Sequence, residues 1–96
     1  MTAPAAILVV DDEPVIRETL AEFLLGEGFA VDVRGSGEEA VKQIQARCYD
    51  LILCDVNLPG IDGIEVLELA ARSSPETMVV LIMPRPRRWS SVEARK

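Results

Sequence analysis

The chain has no histidine, which removes both the usual proton-transfer base and the commonest transition-metal ligand. Cysteine is limited to Cys48 and Cys54, six residues apart. That spacing gives neither a C-x-x-C pair nor a secreted disulfide framework, and Cys54 falls inside an apolar run, so both are read as reduced, buried thiols. Positive charge is short, with 10 basic against 16 acidic residues and a net charge of −6, which speaks against nucleic acid as a partner of the body. No apolar run approaches the roughly 18 residues of a membrane helix, and "MTAPAAILVVDDE" lacks the basic start and long apolar core of a signal peptide. The expected location is cytoplasmic. At 96 residues, 49% of them hydrophobic, the chain has room for one small globular core.

What is present is an alternation of strands and helices. The runs "AILVV" (6–10), "LILC" (51–54) and "MVVLIM" (78–83) are continuously apolar, as parallel strands buried on both faces require. "FAVDVR" (29–34) alternates and suits an edge strand. "DEPVIRETLAEFLLGEGF" puts Ile16, Leu20, Phe23 and Leu24 at helical spacing, with Pro14 in the first turn and Gly28 beyond the last. "SGEEAVKQIQAR" sets Ala40, Val41 and Ile44 on one helical face, and "DGIEVLELAAR" sets Ile64, Leu67, Ala70 and Ala71 on another. The order β-α-β-α-β-α-β predicts an α/β fold with an open parallel sheet.

The composition changes at Pro84. Residues 1–83 carry 5 basic and 15 acidic side chains, net −10, whereas residues 84–96 carry Arg85, Arg87, Arg88, Arg95 and Lys96 against Glu93, net +4. Pro84 and Pro86 interrupt regular structure there. This basic Pro/Arg-rich segment is expected to be a disordered tail or a docking element.

Acidic residues stand where strands end: Asp11, Asp12 and Glu13 after the first run, Asp55 after the third. In an open α/β sheet the binding crevice lies outside the carboxyl ends of the strands, beside the point where strand order reverses. If the first and third strands are neighbours, Asp11, Asp12 and Asp55 meet in that crevice. Three carboxylates so placed repel one another unless a cation neutralises them, and an all-oxygen donor set selects a hard one, Mg²⁺ or Ca²⁺. The competing reading is that Asp11 and Asp12 merely cap the first helix while Asp55 ends a strand. A third pattern, "GSGEEA" (35–40), matches G-x-G-x-x-A between a strand and a helix, but Glu38 and Glu39 stand at the helix start where a pyrophosphate would have to bind. It reads as a turn and a helix start. The haloacid dehalogenase phosphatases also use a strand-end aspartate, in a D-x-D signature, and Asp55-Val56-Asn57 lacks the second acid.

Together "ILVVDDEPVIRETLAEFL", "GSGEEAV" and "CDVNLPGIDGIEVL" resemble a response regulator receiver domain of two-component signalling, over roughly residues 6–83. The DD pair followed some 43 residues later by D-x-x-L-P-G-x-D-G is specific to few folds. The resemblance implies a flavodoxin-like three-layer fold, here four strands in the order 2-1-3-4 with three helices. It makes Asp55 the phosphoacceptor, accepting a phosphoryl group from a histidine kinase or phosphotransfer protein. It implies a Mg²⁺ site of Asp12 (direct), Asp11 (through water), Asp55 and the Asn57 carbonyl, with Pro59 and Gly60 shaping the turn beyond. Such a domain is a signalling module rather than an enzyme.

The sequence also departs from the family. The switch Thr or Ser expected at the end of the fourth strand is Met83, and the expected phosphoryl-binding Lys has no counterpart in the chain. The expectation is therefore a truncated receiver domain (1–83) followed by the tail (84–96), with impaired phosphotransfer. The alternative is a phosphorylation-incompetent interaction protein that binds a kinase or itself. Right-handed crossovers put the first helix alone on one sheet face. A homodimer through the uncovered face, or through the fourth-strand edge, is expected to cover it.

Overall fold

The computed structural model describes residues 3–83; the basic segment 84–96 lies outside the described residues. Within them run β1 (Ala6–Val10), α1 (Pro14–Gly26), β2 (Ala30–Arg34), α2 (Gly37–Ala46), β3 (Leu51–Asp55), α3 (Gly63–Ser73) and β4 (Met78–Ile82). The strands form one parallel sheet, as the alternating pattern predicts, in the order β2-β1-β3-β4 that the family resemblance implies. Among the described residues no helix is long and apolar enough to cross a membrane.

Strand periodicity divides the core. Leu8, Val10, Ile52 and Cys54 point to one face, where they pack with Ala40 and Ile44 of α2 and Val66 and Ala70 of α3, flanked by Val79 and Leu81 of β4. The opposite face carries Ile7 and Val9, buried, and the partly buried Leu51 and Leu53. α1 packs on β1 and β2 on this side. Register pairs Leu51 with Met78 and Leu53 with Val80, yet Met78 is 65% exposed and Val80 41%. The β4 half of this face is therefore bare among the described residues.

Two helical faces differ from the spacing argument. Phe23 stands exposed on α1, and no residue of that helix is fully buried. With only half a sheet face beneath it, α1 has contact for the stripe of Ile16, Leu20 and Leu24, all partly buried, and none for Phe23. In α3 the buried line is Gly63, Val66 and Ala70, whereas Ile64 and Ala71 point to water. Gly63 sets that rotation. A Cβ there would lie 2.5 Å from the Asp55 carbonyl oxygen and 2.7 Å from Val56 Cα, so the helix start sits closer to β3 than any other residue permits.

Local signals account for the helix ends. α2 begins at Ser36, whose hydroxyl accepts the Glu39 N–H; α3 begins with a reciprocal Asp62–Glu65 capping box. After α1 the chain turns through Gly28 at φ 96°, a left-handed conformation that favours glycine. At the foot of the molecule the buried Tyr49 hydroxyl donates to Asp32, which also pairs with Arg47 at 2.7 Å. Gln43 Nε2 donates to the Tyr49 hydroxyl at 2.8 Å. This network fastens the end of α2 to the edge strand β2.

Candidate metal and phosphoacceptor site

The order reversal of the sheet falls between β1 and β3, and both strands end in acid. β3 runs through Asp55 itself, one residue further than its apolar run. Asp11 follows β1, and its N–H donates to the Arg34 carbonyl at 3.1 Å, extending the β1–β2 ladder by one bond. Carboxylate oxygens of Asp11, Asp12 and Asp55 all lie within 4.8 Å of one another. Asp11 (1% exposed) and Asp55 are buried, while Asp12 is exposed. The three acids singled out in the sequence are thus brought together.

Capping accounts for only part of this arrangement. Asp11 Oδ1 accepts the Glu13 N–H at 2.9 Å, but the N-cap of α1 is Glu13, and no side chain caps it. Asp11 Oδ2 is buried without a hydrogen-bond partner. A buried carboxylate oxygen left without a donor costs free energy. Burial pushes the Asp11 carboxyl up from its ordinary 3.8, and the charges of Asp55, Asp12 and Glu13 push the same way, against the Glu13 hydrogen bond. A cation among these acids would favour the ionised carboxyl and oppose those upward effects. The residues present therefore fit a hard divalent ion: all donors are oxygen, and one buried donor is free.

Asp55 Oδ1 accepts the Asn57 N–H at 2.9 Å, which ties the start of the β3–α3 loop to the carboxylate. Gly60, at φ 73°, completes the turn that returns the chain to α3. Asn57 is exposed on this loop, with its peptide beside the acids. Cys54, one residue before Asp55, points away into the core, and burial pushes its thiol up to about 12, with the Asp55, Asp11 and Asp62 carboxylates adding to the shift. It stays a neutral thiol.

Two supports escaped the sequence reading. Arg17, on α1, donates from Nη1 to the Asp11 carbonyl at 2.9 Å. Glu38, on α2, accepts the Ile61 N–H at 3.2 Å. Helical periodicity places each on a polar face but names no partner, because both partners are backbone atoms of other segments.

Residues 7–88 match the family described as response regulator receiver domain. The transcriptional regulatory protein TcrA of Mycobacterium tuberculosis is 42% identical over 79 residues, 82% of this chain and 31% of its own. The transcriptional activator protein ExaE of Pseudomonas putida is 46% identical over 77 residues, 77% of this chain and 36% of its own. The chain thus spans about a third of the length of these curated relatives. Among solved structures, the response regulator TrrA of Thermotoga maritima, in complex with Mg(2+)-BeF, superposes with a TM-score of 0.81 at 37% identity, covering 95% of this chain and 79% of that one. The same regulator in complex with the histidine kinase ThkA superposes at 0.75 with 38% identity, covering 91% and 78%. Fold, acidic crevice and sequence agree: the chain belongs to the response regulator receiver domain family.

Proposed function

We propose that Asp55 is a phosphoacceptor, served by a Mg²⁺ site made of the Asp11, Asp12 and Asp55 carboxylates and the Asn57 carbonyl. The observation that carries this reading is the meeting of three carboxylates at the sheet's order reversal, with Asp11 Oδ2 buried and unpartnered. Mg²⁺, when bound, supplies charge neutralisation for the acids and for the incoming phosphoryl oxygens. The chain's own residues do the rest. Asp55 offers a carboxylate oxygen at a strand end, held by the Asn57 N–H through its other oxygen. The new bond joins that oxygen to phosphorus, and the donor's bond to phosphorus breaks with its electron pair leaving on the donor. A histidine kinase or phosphotransfer protein is the donor class, a proposal supported by the related regulator seen with its kinase.

Transfer is proposed to be slow. β3–β4 register sets Ile82 beside Asp55, and the next residue is Met83, 53% exposed, which offers no hydrogen bond to a phosphoryl oxygen. Losing one such preorganised contact typically costs about 3 kcal/mol of barrier. That observation favours a second reading, an interaction protein that binds a kinase or a second copy of itself without productive transfer. In this division of the chain, residues 1–83 form the receiver body and 84–96 a separate basic segment.

One assay decides between the readings. The protein is incubated with Mg²⁺ and acetyl phosphate and followed by intact mass, with Asp55→Asn as control. A single phosphoryl adduct that forms slowly and disappears in the variant is expected. Absence of any Asp55-dependent adduct removes the phosphoacceptor reading and leaves the interaction protein.

A further inference from the structure

The segment "GSGEE" (35–39), which runs from the end of β2 into the first turn of α2, contributes no metal ligand to the proposed site, yet both ligand-bearing loops press against it. On one side, a Cβ at Gly35 would lie 2.8 Å from Arg17 Nη1, the same nitrogen that donates to the Asp11 carbonyl at 2.9 Å. Gly35 is therefore the floor on which the Arg17 guanidinium lies. The Asp11 N–H meanwhile donates to the Arg34 carbonyl, the residue before Gly35, at 3.1 Å. On the other side, a Cβ at Gly37 would collide with the Ile61 carbonyl oxygen, and one at Gly60 with the Glu38 carboxylate. Glu38 Oε2 accepts the Ile61 N–H at 3.2 Å. The first loop carries Asp11 and Asp12; the second carries Asn57.

We propose that this β2–α2 turn is a clamp on the metal site, with Arg17 and Glu38 as positioning residues that fix the two ligand-bearing loops against one shared bracket. The inference rests on the Mg²⁺ site proposed above. Between Asp55 and α3 the second loop is tied internally by the Asn57 N–H to Asp55 and by the Gly63 N–H to the Val56 carbonyl, and from outside by Glu38 to Ile61. Removing Glu38 releases the tie that fixes this loop to the bracket. Arg17 is a partly buried cation beside an acidic crevice, and its Nη1 is spent on a backbone carbonyl. Removing it releases one of the ties on the loop between β1 and α1, leaving the Asp11 N–H bond to the Arg34 carbonyl.

Charge and clamp predict opposite signs, which makes the proposal testable. If Arg17 acted only as a positive charge near the site, Arg17→Ala would tighten Mg²⁺ binding, because a repelling charge is gone. A clamp predicts weaker binding instead. Glu38 separates the effects differently: Glu38→Gln removes the charge and keeps an acceptor for the Ile61 N–H, whereas Glu38→Ala removes both.

The experiment is Mg²⁺ titration by calorimetry of the full chain and of Arg17→Ala, Glu38→Gln and Glu38→Ala. In parallel, backbone amide hydrogen exchange is read by NMR without metal at Glu13 and Asn57. The expected result is affinity weaker by roughly three- to tenfold in Arg17→Ala and Glu38→Ala, retained within about twofold in Glu38→Gln. Faster exchange is expected at Glu13 in the first variant and at Asn57 in Glu38→Ala. Unchanged or tighter binding in Arg17→Ala overturns the proposal, as does equal weakening by Gln and Ala at position 38. Saturable binding missing from the parent chain sinks the metal-site reading, and unchanged amide exchange then sinks the clamp on its own terms.

Discussion

At the scale of single residues, Asp11 is the clearest conflict between stability and function. Its carboxyl is buried with one oxygen unpartnered, and its folded pKa is raised above 3.8 by burial first and neighbouring acids second. A group with a raised folded value stands at no disadvantage below its unfolded pKa, where it is protonated in both states. The penalty enters as pH rises through the folded value. The metal-free protein should therefore lose stability from Asp11 as pH rises above about 4, and Mg²⁺ should restore it. Asp11→Asn removes the charge and gives the buried position a donor. It should raise the metal-free melting temperature by about 5 °C, corresponding to about 1 kcal/mol, while abolishing most of the further rise that Mg²⁺ gives the parent. Scanning calorimetry with and without Mg²⁺ checks both halves. A lower melting temperature in the metal-free variant contradicts the argument. Met83 poses the converse case: under the proposed function it is an inert side chain where a hydroxyl would serve. Met83→Thr puts a hydroxyl one residue beyond Ile82, the register partner of Asp55, and phosphorylation by acetyl phosphate should accelerate by roughly a hundredfold at most, the rate equivalent of about 3 kcal/mol. An unchanged rate would show that the hydroxyl position is not what limits transfer.

At the scale of elements, the site is built where helices approach strand ends, and glycine sets the approach. Gly63 brings α3 against the backbone of Asp55 and Val56. Gly63→Ala requires that helix to retreat, and overpacking of this kind costs about 2 kcal/mol. Its melting temperature should fall by roughly 10 °C, with Asp55 phosphorylation slowed as well, because the β3–α3 loop moves with the helix. Thermal unfolding followed by circular dichroism gives the first number. The element order and the strand-end aspartates were legible from periodicity, since continuous apolar runs followed by acids are backbone-level signals, whereas the sheet order that brings those acids together came only with the family resemblance. The rotation of α3 was not. Ile64, Leu67 and Ala71 make as good an apolar line as Val66, Leu67 and Ala70, and only the contact at Gly63 decides between them. Arg17 and Glu38 were illegible for a related reason: each serves a backbone atom that tertiary structure alone brings near.

At the scale of the whole molecule, the open question is the α1 side of β3 and β4. The described sheet ends at β4, five apolar residues without charge or proline, hydrogen-bonded to β3 on one side. Its own Met78 and Val80 lie exposed beside Leu51 and Leu53 of β3, and Phe23 stands uncovered on α1. Natural edge strands usually carry a charge, a proline or a bulge that prevents pairing, and β4 carries none. A second copy related by a two-fold axis can pair β4 with β4 antiparallel, satisfying both edges with the same residues. The 96-residue chain should then be dimeric or larger at micromolar concentration by light scattering. Val80→Lys puts a charge on the bare face at an exposed position, where it leaves the core intact. It should weaken association at least tenfold, with an unchanged circular dichroism spectrum and unchanged Mg²⁺ affinity, since the acidic crevice lies at the carboxyl ends of β1 and β3 rather than on this face. A compact monomer from the parent chain would mean that the exposed apolar row of β4 is covered from within the chain, and the self-association reading would fall.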